Sequence, residues 1–223
     1  MSSWVEVSEG SDFPLENLPF GVFDAGSGRR IGVAIGGHVL DLWATAEAGL
    51  LPHVAALQDV DLNALLALGS EAWGRVRERL TELLTEGSTE IQDAGIDLHG
   101  HDAVRMHLPF TPGDYVDFYS SIEHATNLGR MFRPDGDPLL PNWRHLPVGY
   151  HGRASTVVVS GTPIRRPSGQ TKPGDGPPVQ GPSRALDIEL EVGFVTGPGN
   201  ALGEPIEVDA AEEHIFGLVL VND

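Results

Sequence analysis

The chain has 223 residues, 14 basic against 32 acidic side chains, and a formal charge of −18. It therefore lacks the basic footprint that binding to nucleic acid or an anionic membrane requires. With no cysteine, it has no disulfide framework and no cysteine-ligated zinc. The apolar fraction of 40% suffices for a self-supporting core. No apolar run approaches the roughly 18 residues that would span a bilayer, and Met1 to Glu6 show neither a basic start nor an apolar signal core. The expectation is a soluble, cytoplasmic globular protein.

Residues 11–20 are punctuated by proline and read as extended. From Gly21 to Leu42 the pattern is β. Val22 and Phe23 lead into the turn 24–28, Arg29 to Ile35 forms a strand, Gly36-Gly37 a tight turn, and His38 to Leu42 a return strand. Paired glycines between short apolar runs supply the positive φ of a primed hairpin turn. This predicts a small meander or barrel.

Helices follow. Asp61 is placed to cap Leu62 to Leu68, with Gly69 as the stop, and Ser70 to cap a longer helix running to about Glu86, with Gly87 as the stop. In the longer helix Trp73, Val76, Leu80, Leu83 and Leu84 recur at steps of three and four, the stripe of a core-facing amphipathic helix. Ala103 to Phe110 reads as a strand, and Thr111-Pro112-Gly113 ends it. The domain boundary is expected there, giving domains 1–110 and 111–223. In the second, residues 134–148 form a loop and Thr156 to Val159 a short strand. Arg165 to Arg184 is a Pro/Gly-rich segment without periodicity, of the kind that serves as a cover or moves. Strands Leu186 to Val195 and Ile215 to Val221 close the chain. The last is apolar almost throughout, which predicts burial on both faces.

The chemistry concentrates between Asp117 and Arg133 and in two later segments. Strand alternation puts Asp187, Glu189 and Glu191 on one face. Such a face is either solvated or holds a hard cation, since Mg²⁺ and Ca²⁺ prefer carboxylate oxygens. Asp223 ends an apolar strand, where a buried carboxylate needs a partner. Asp117, Glu189, Glu191 and Asp223 can thus share one metal. Ser120 or Ser121 is placed to cap a helix whose first turn carries His124, where the positive helix end disfavours imidazolium. A neutral imidazole is what a general base requires. Arg133 and Tyr150 are suited to hold a substrate carboxylate, the first through a planar fork of donors and the second through one directed hydrogen bond. The glycines in Gly149-Tyr150-His151-Gly152 allow close backbone approach to a ligand, without phosphate-loop spacing.

Asp-Tyr-Val-Asp-Phe-Tyr-Ser-Ser (114–121), His-Ala-Thr-Asn (124–127) and Leu-Pro-Asn-Trp-Arg-His-Leu-Pro-Val-Gly-Tyr-His-Gly-Arg-Ala-Ser (140–155) closely resemble the fumarylacetoacetase family. So do Ser-Gly-Thr-Pro-Ile-Arg-Arg-Pro (160–167), Leu-Asp-Ile-Glu-Leu-Glu (186–191) and His-Ile-Phe-Gly-Leu-Val-Leu-Val-Asn-Asp (214–223). The likeness is dense from about 111 to 223 and looser before it. It implies a mainly β, α+β fold: a small SH3-like β-barrel domain, then a mixed β-roll or sandwich catalytic domain that forms a homodimer when full length. It implies hydrolysis of 4-fumarylacetoacetate, a diketo acid, to fumarate and acetoacetate at the end of tyrosine and phenylalanine breakdown. It places Ca²⁺ or Mg²⁺ on Asp117, Glu189, Glu191 and Asp223, makes His124 the base that activates water, and sets Tyr119, Arg133 and Tyr150 on the substrate.

The family pattern continues past Asp223 and would supply a lysine, a glutamine, a tyrosine and a glutamate there. The chain is accordingly expected to be an amino-terminal piece with little or no turnover alone, whose last strands expose unpaired edges that invite association. The alternatives are another metal-dependent acylpyruvate-type hydrolase or decarboxylase of the superfamily, and a non-catalytic binding or regulatory chain.

Overall fold

The computed structural model describes residues 2–223. Two compact units emerge, one formed by residues up to Phe110 together with Val159–Asp223, the other by Thr111–Val158.

In the first unit, β1 (Phe20–Asp24), β2 (Arg29–Ile35), β3 (His38–Asp41), β4 (Leu98–Gly100) and β5 (Arg105–His107) form a curled antiparallel sheet in the order β4-β3-β2-β1-β5. The β2–β3 hairpin closes on Gly36-Gly37 with Ile35 opposite His38, as the paired glycines predict. Gly36 sits at φ 55°, and a Cβ there would lie 2.2 Å from the Glu6 carbonyl oxygen. No side chain fits at Gly36 without moving the N-terminal segment. In β2 the alternate residues Ile31, Val33 and Ile35 are fully buried, the period-two pattern of a strand with one face on a core.

Helices share the core of this sheet. These are α1 (Leu42–Glu47), α2 (Val54–Leu57), α3 (Asn63–Leu66), α4 (Ser70–Leu84) and α5 (Glu90–Asp93). The predicted stripe of α4 is the buried one: Trp73, Val76, Leu80, Leu83 and Leu84 all join the core. The predicted caps are corrected. Gly69 takes the N-cap of α4, and Ser70 is its first helical residue. Asp61 does not cap a helix running to Leu68. Its Oδ1 accepts at 3.0 Å from the amide of Asn63, the first residue of a helix that ends at Leu66 and has Leu62 at its N-cap. At α1, Asp41 is a true cap. Its Oδ1 accepts from the Ala44 amide at 3.1 Å, while Oδ2 meets Arg30 at 2.7 Å.

The same unit contains β8 (Ser168–Thr171), β9 (Val179–Pro182), β10 (Leu190–Thr196) and β11 (Ile215–Asn222). β8 and β9 form an antiparallel hairpin inside the segment expected to lack structure. All but one of their residues are exposed, so no apolar alternation marks them. β10 and β11 form a separate two-stranded ribbon. Val195 and Phe216 pack against the core of the unit, and Phe216 meets Trp73 of α4 edge to face. Burial of β11 on both faces is not observed. Register sets Val192 opposite Leu220 and Phe194 opposite Leu218, and these four are 53–77% exposed. A two-stranded ribbon has two faces, and the packing described here covers only one.

The second unit contains β6 (Val116–Phe118), α6 (Ile122–Phe132) and β7 (Gly149–His151), with β6 and β7 paired antiparallel. The expected strand at Thr156 to Val159 does not form. Ala154–Thr156 makes a 3-10 turn instead, since β-branched residues make a strand only where a partner ladder is available. No described helix is long and apolar enough to cross a membrane.

Candidate functional site

The candidate metal-binding carboxylates of the first unit cluster at one end of the β10–β11 ribbon. Glu189 and Asp223 exchange both backbone hydrogen bonds, at 2.8 and 2.9 Å, and so sit directly opposite each other just beyond the ends of the two strands. Glu191 is two residues along, opposite Val221. The period of two therefore sends the side chains of Glu189, Glu191 and Asp223 to one face. The other face carries Leu190, Val192 and Phe194. Carboxylate oxygens of Glu191 and Asp223 come within 4.8 Å of each other. Carboxylates this close repel unless a cation, a proton or water lies between them. The donors are all hard oxygens, which fits Mg²⁺ or Ca²⁺ rather than a thiolate-seeking metal. Asp187, expected to share the face, precedes the ladder, and its Oδ1 accepts its own neighbour's amide, that of Ile188, at 2.9 Å.

The remaining candidates fall in the second unit. Asp117 is the middle residue of β6 and pairs with Tyr150 of β7. The Tyr150 phenol donates to Asp117 Oδ2 at 2.5 Å. Two glycines set the approach of the strands. A Cβ on Gly149 would lie 2.9 Å from the Asp117 carbonyl oxygen, and one on Gly152 would lie 1.9 Å from the Tyr115 ring. The glycines around Tyr150 thus admit strand β6 and the Tyr115 ring. A further pair, His151 Nε2 with Asp114 Oδ1 at 2.9 Å, ties the outer end.

β6 passes into α6 through Tyr119. Ser121 is the N-cap of that helix, and its Oγ accepts from the His124 amide at 3.3 Å. This sets the His124 ring in the exposed first turn, edge to face with Tyr119 at 5.4 Å. The Tyr119 hydroxyl donates to the Ala125 carbonyl at 3.3 Å. Its backbone is held at both ends: the amide donates to Val148 at 2.8 Å, and the carbonyl accepts the Trp143 indole N–H at 2.8 Å. Trp143 stands in a 3-10 turn, Pro141–Arg144, and no local pattern marks it as a support for Tyr119. Arg133, at the C-cap of α6, donates Nη2 to the Pro138 carbonyl at 2.6 Å and Nε to that of Asp137 at 3.3 Å. It closes the turn that follows its own helix.

Each unit thus presents part of a chemistry. One bears a carboxylate face, the other an aspartate, a phenol pair, an imidazole and a guanidinium on adjoining elements. Comparison with known proteins gives these parts a common origin. Residues 16–109 match the model described as fumarylacetoacetase N-terminal, and residues 115–223 that described as fumarylacetoacetate (FAA) hydrolase C-terminal. The chain is 52% identical to fumarylacetoacetase of Homo sapiens over 233 residues, and 50% identical to that of Rattus norvegicus over 232. In each case 99% of this chain and 55% of the relative are covered. Fumarylacetoacetase of Caenorhabditis elegans is 49% identical, over 100% of the chain and 56% of the relative. The chain spans just over half the length of these relatives. Both halves of the sequence point the same way, and the chain belongs to the fumarylacetoacetase family.

Proposed function

We propose that the chain serves in the metal-dependent hydrolysis of a carbon–carbon bond of 4-fumarylacetoacetate, giving fumarate and acetoacetate, a late step of tyrosine and phenylalanine breakdown in the cytoplasm. The observation that carries this reading is the carboxylate face of the β10–β11 ribbon, with Glu191 and Asp223 oxygens within 4.8 Å, in a chain of this family. Asp117, Glu189, Glu191 and Asp223 would together hold one Mg²⁺ or Ca²⁺. Held there, such an ion would supply Lewis acidity toward the oxygens of a diketone and charge to offset the developing leaving group.

The chain's own groups do the rest. His124, exposed in the first turn of α6, takes a proton from water as general base. Tyr119 sits edge to face with the imidazole, and its hydroxyl would turn from the Ala125 carbonyl, to which it donates at 3.3 Å, to reach the substrate. Arg133 carries five N–H donors, and those not used on the Asp137 and Pro138 carbonyls are available to a substrate carboxylate. The expected assembly is a homodimer.

The test is turnover of 4-fumarylacetoacetate by the purified chain with Mg²⁺ or Ca²⁺ added, and by His124→Gln under the same conditions. The reading expects slow, cation-dependent product from the first, since this stretch alone is expected to turn over little, and a further loss of about 100-fold or more in the second, the usual range for removing a general base. Equal rates in both would sink the assignment of His124. Preference for a simple acylpyruvate would move the substrate to another class, and no turnover at all would remove catalysis from this chain.

A further inference from the structure

Tyr150 has one proton, and the structure shows where it goes. The phenol donates to Asp117 Oδ2 at 2.5 Å, the short end of the range for a hydroxyl bound to an ionised carboxylate. A phenol has a single O–H donor. While that proton sits on Asp117, the Tyr150 oxygen has only its lone pairs for any other contact. The contact is built into the fold. Tyr150 and Asp117 are register partners, so both side chains leave the same face of the ladder, and the His151–Asp114 pair fastens the adjoining end.

We infer that Tyr150 is a positioning residue for the metal. By fixing Oδ2, it fixes the orientation of the Asp117 carboxylate and leaves Oδ1 to meet a divalent cation. The inference rests on the proposed role of Asp117 as a ligand. It differs from a substrate-holding role in what it predicts. Loss of the phenol must weaken metal binding in the absence of any substrate. Hydrogen-bond partners of metal ligands commonly govern affinity at the level of about 10–100-fold.

The experiment is calorimetric titration of the whole chain with CaCl₂ and with MgCl₂, comparing wild type, Tyr150→Phe, Asp117→Asn and Tyr115→Phe. The last removes a phenol from the segment leading into β6 without touching the Asp117 contact. The expected result is a 10–100-fold weaker affinity in Y150F, a larger loss in D117N, and little change in Y115F. Affinity in Y150F equal to wild type would overturn the inference while leaving the metal reading intact. Absence of binding by the wild-type chain would overturn both. Because Y150F also removes a fold contact, the wild-type protein supplies an independent reading. With only three tyrosines in the chain, the ¹³Cζ resonance of Tyr150 can be followed during the Ca²⁺ titration. It should move in step with saturation, and a resonance that stays fixed at saturating Ca²⁺ would count against the inference.

Discussion

Trp73 and Phe216, 143 positions apart in sequence, meet edge to face with ring centroids 5.3 Å apart and planes at 85°. The contact joins α4, the main core helix of the N-terminal region, to strand β11. The Trp73 indole is fixed by its own bond to the Leu65 carbonyl at 2.8 Å. Phe20 of β1 also meets Phe216, with ring centroids 5.4 Å apart. The ribbon that carries the carboxylates is therefore anchored on the core of the first unit.

Truncating Trp73 to alanine should lower stability by about 3–5 kcal/mol, the usual cost of deleting a large buried aromatic. Phe216→Ala should cost less, because Phe216 is only partly buried. In a double-mutant cycle the two should couple by about 0.5–1.5 kcal/mol, the typical worth of an aromatic pair beyond its buried area. Chemical denaturation of the four proteins measures this. Strict additivity would show that the ring contact contributes nothing to the anchoring.

Asp41 does two jobs that separate by substitution. It caps α1 through Oδ1 and pairs with Arg30 through Oδ2, and it is 4% exposed. Asp41→Asn keeps a capping oxygen and loses the ion pair. Asp41→Ala loses both and leaves Arg30 facing a site with no countercharge. The alanine variant is expected to lose about 2–4 kcal/mol, cap and pair together, and the asparagine variant distinctly less. Equal losses in the two would mean that the cap adds nothing to the pair.

How far the sequence foretold this arrangement depends on the range of the forces involved. The Gly36-Gly37 hairpin, the α4 stripe and a serine cap at 120 or 121 were legible because each is decided within a few residues. The β8–β9 hairpin was not, since strands exposed on both sides carry no alternation. Gly69 rather than Ser70 caps α4, against the usual preference for serine, because the chain enters the helix at φ 84°, a conformation open to glycine. At the candidate site the residue types were visible, while their partners were not. The Tyr150–Asp117 bond spans 33 positions and depends on the register of two three-residue strands. The Trp143–Tyr119 bond spans 24. Such contacts follow from the assembled ladder, and no spacing rule gives them.

The response to acid should be biphasic. His107 of β5 is driven below the usual histidine range, first by burial and then by the Arg29 and Arg105 charges, with Asp24 opposing. Its Nε2 is buried without a hydrogen-bond partner among the described residues. A depressed histidine is more readily protonated in the unfolded chain. Its contribution is therefore at its best above the ordinary value of 6.5 and is lost progressively as pH falls from there to the folded-state value. Asp24 is also held low, chiefly by the Gly26 amide, then by the Gly28 amide and Arg105. That stabilisation is complete above the ordinary 3.8 and disappears as pH falls below it. Urea midpoints from pH 7 to pH 5 should decline in the wild type and flatten in His107→Gln. An unchanged slope in the variant would assign the decline to other groups.

Divalent cations should stabilise the ribbon if its carboxylate face is a ligand set. A ligand that binds only the folded state adds RT ln(1 + [L]/Kd), about 2.7 kcal/mol at a hundredfold excess over Kd. Mg²⁺ or Ca²⁺ should therefore raise the melting temperature, and a chelator should reverse the rise. Glu191→Gln keeps the shape of the side chain and removes one charge from the face it shares with Asp223 and Glu189. In chelator the variant should melt close to wild type, since substitutions outside the core usually fall within about 0.5 kcal/mol. With cation present the two proteins should separate, because only the wild type retains the ligand. A general salt effect would instead raise both proteins equally and would appear with a monovalent salt of matched ionic strength. Parallel melts of the two proteins in chelator, monovalent salt and divalent cation therefore distinguish a coordinated ion from screening of an acidic surface.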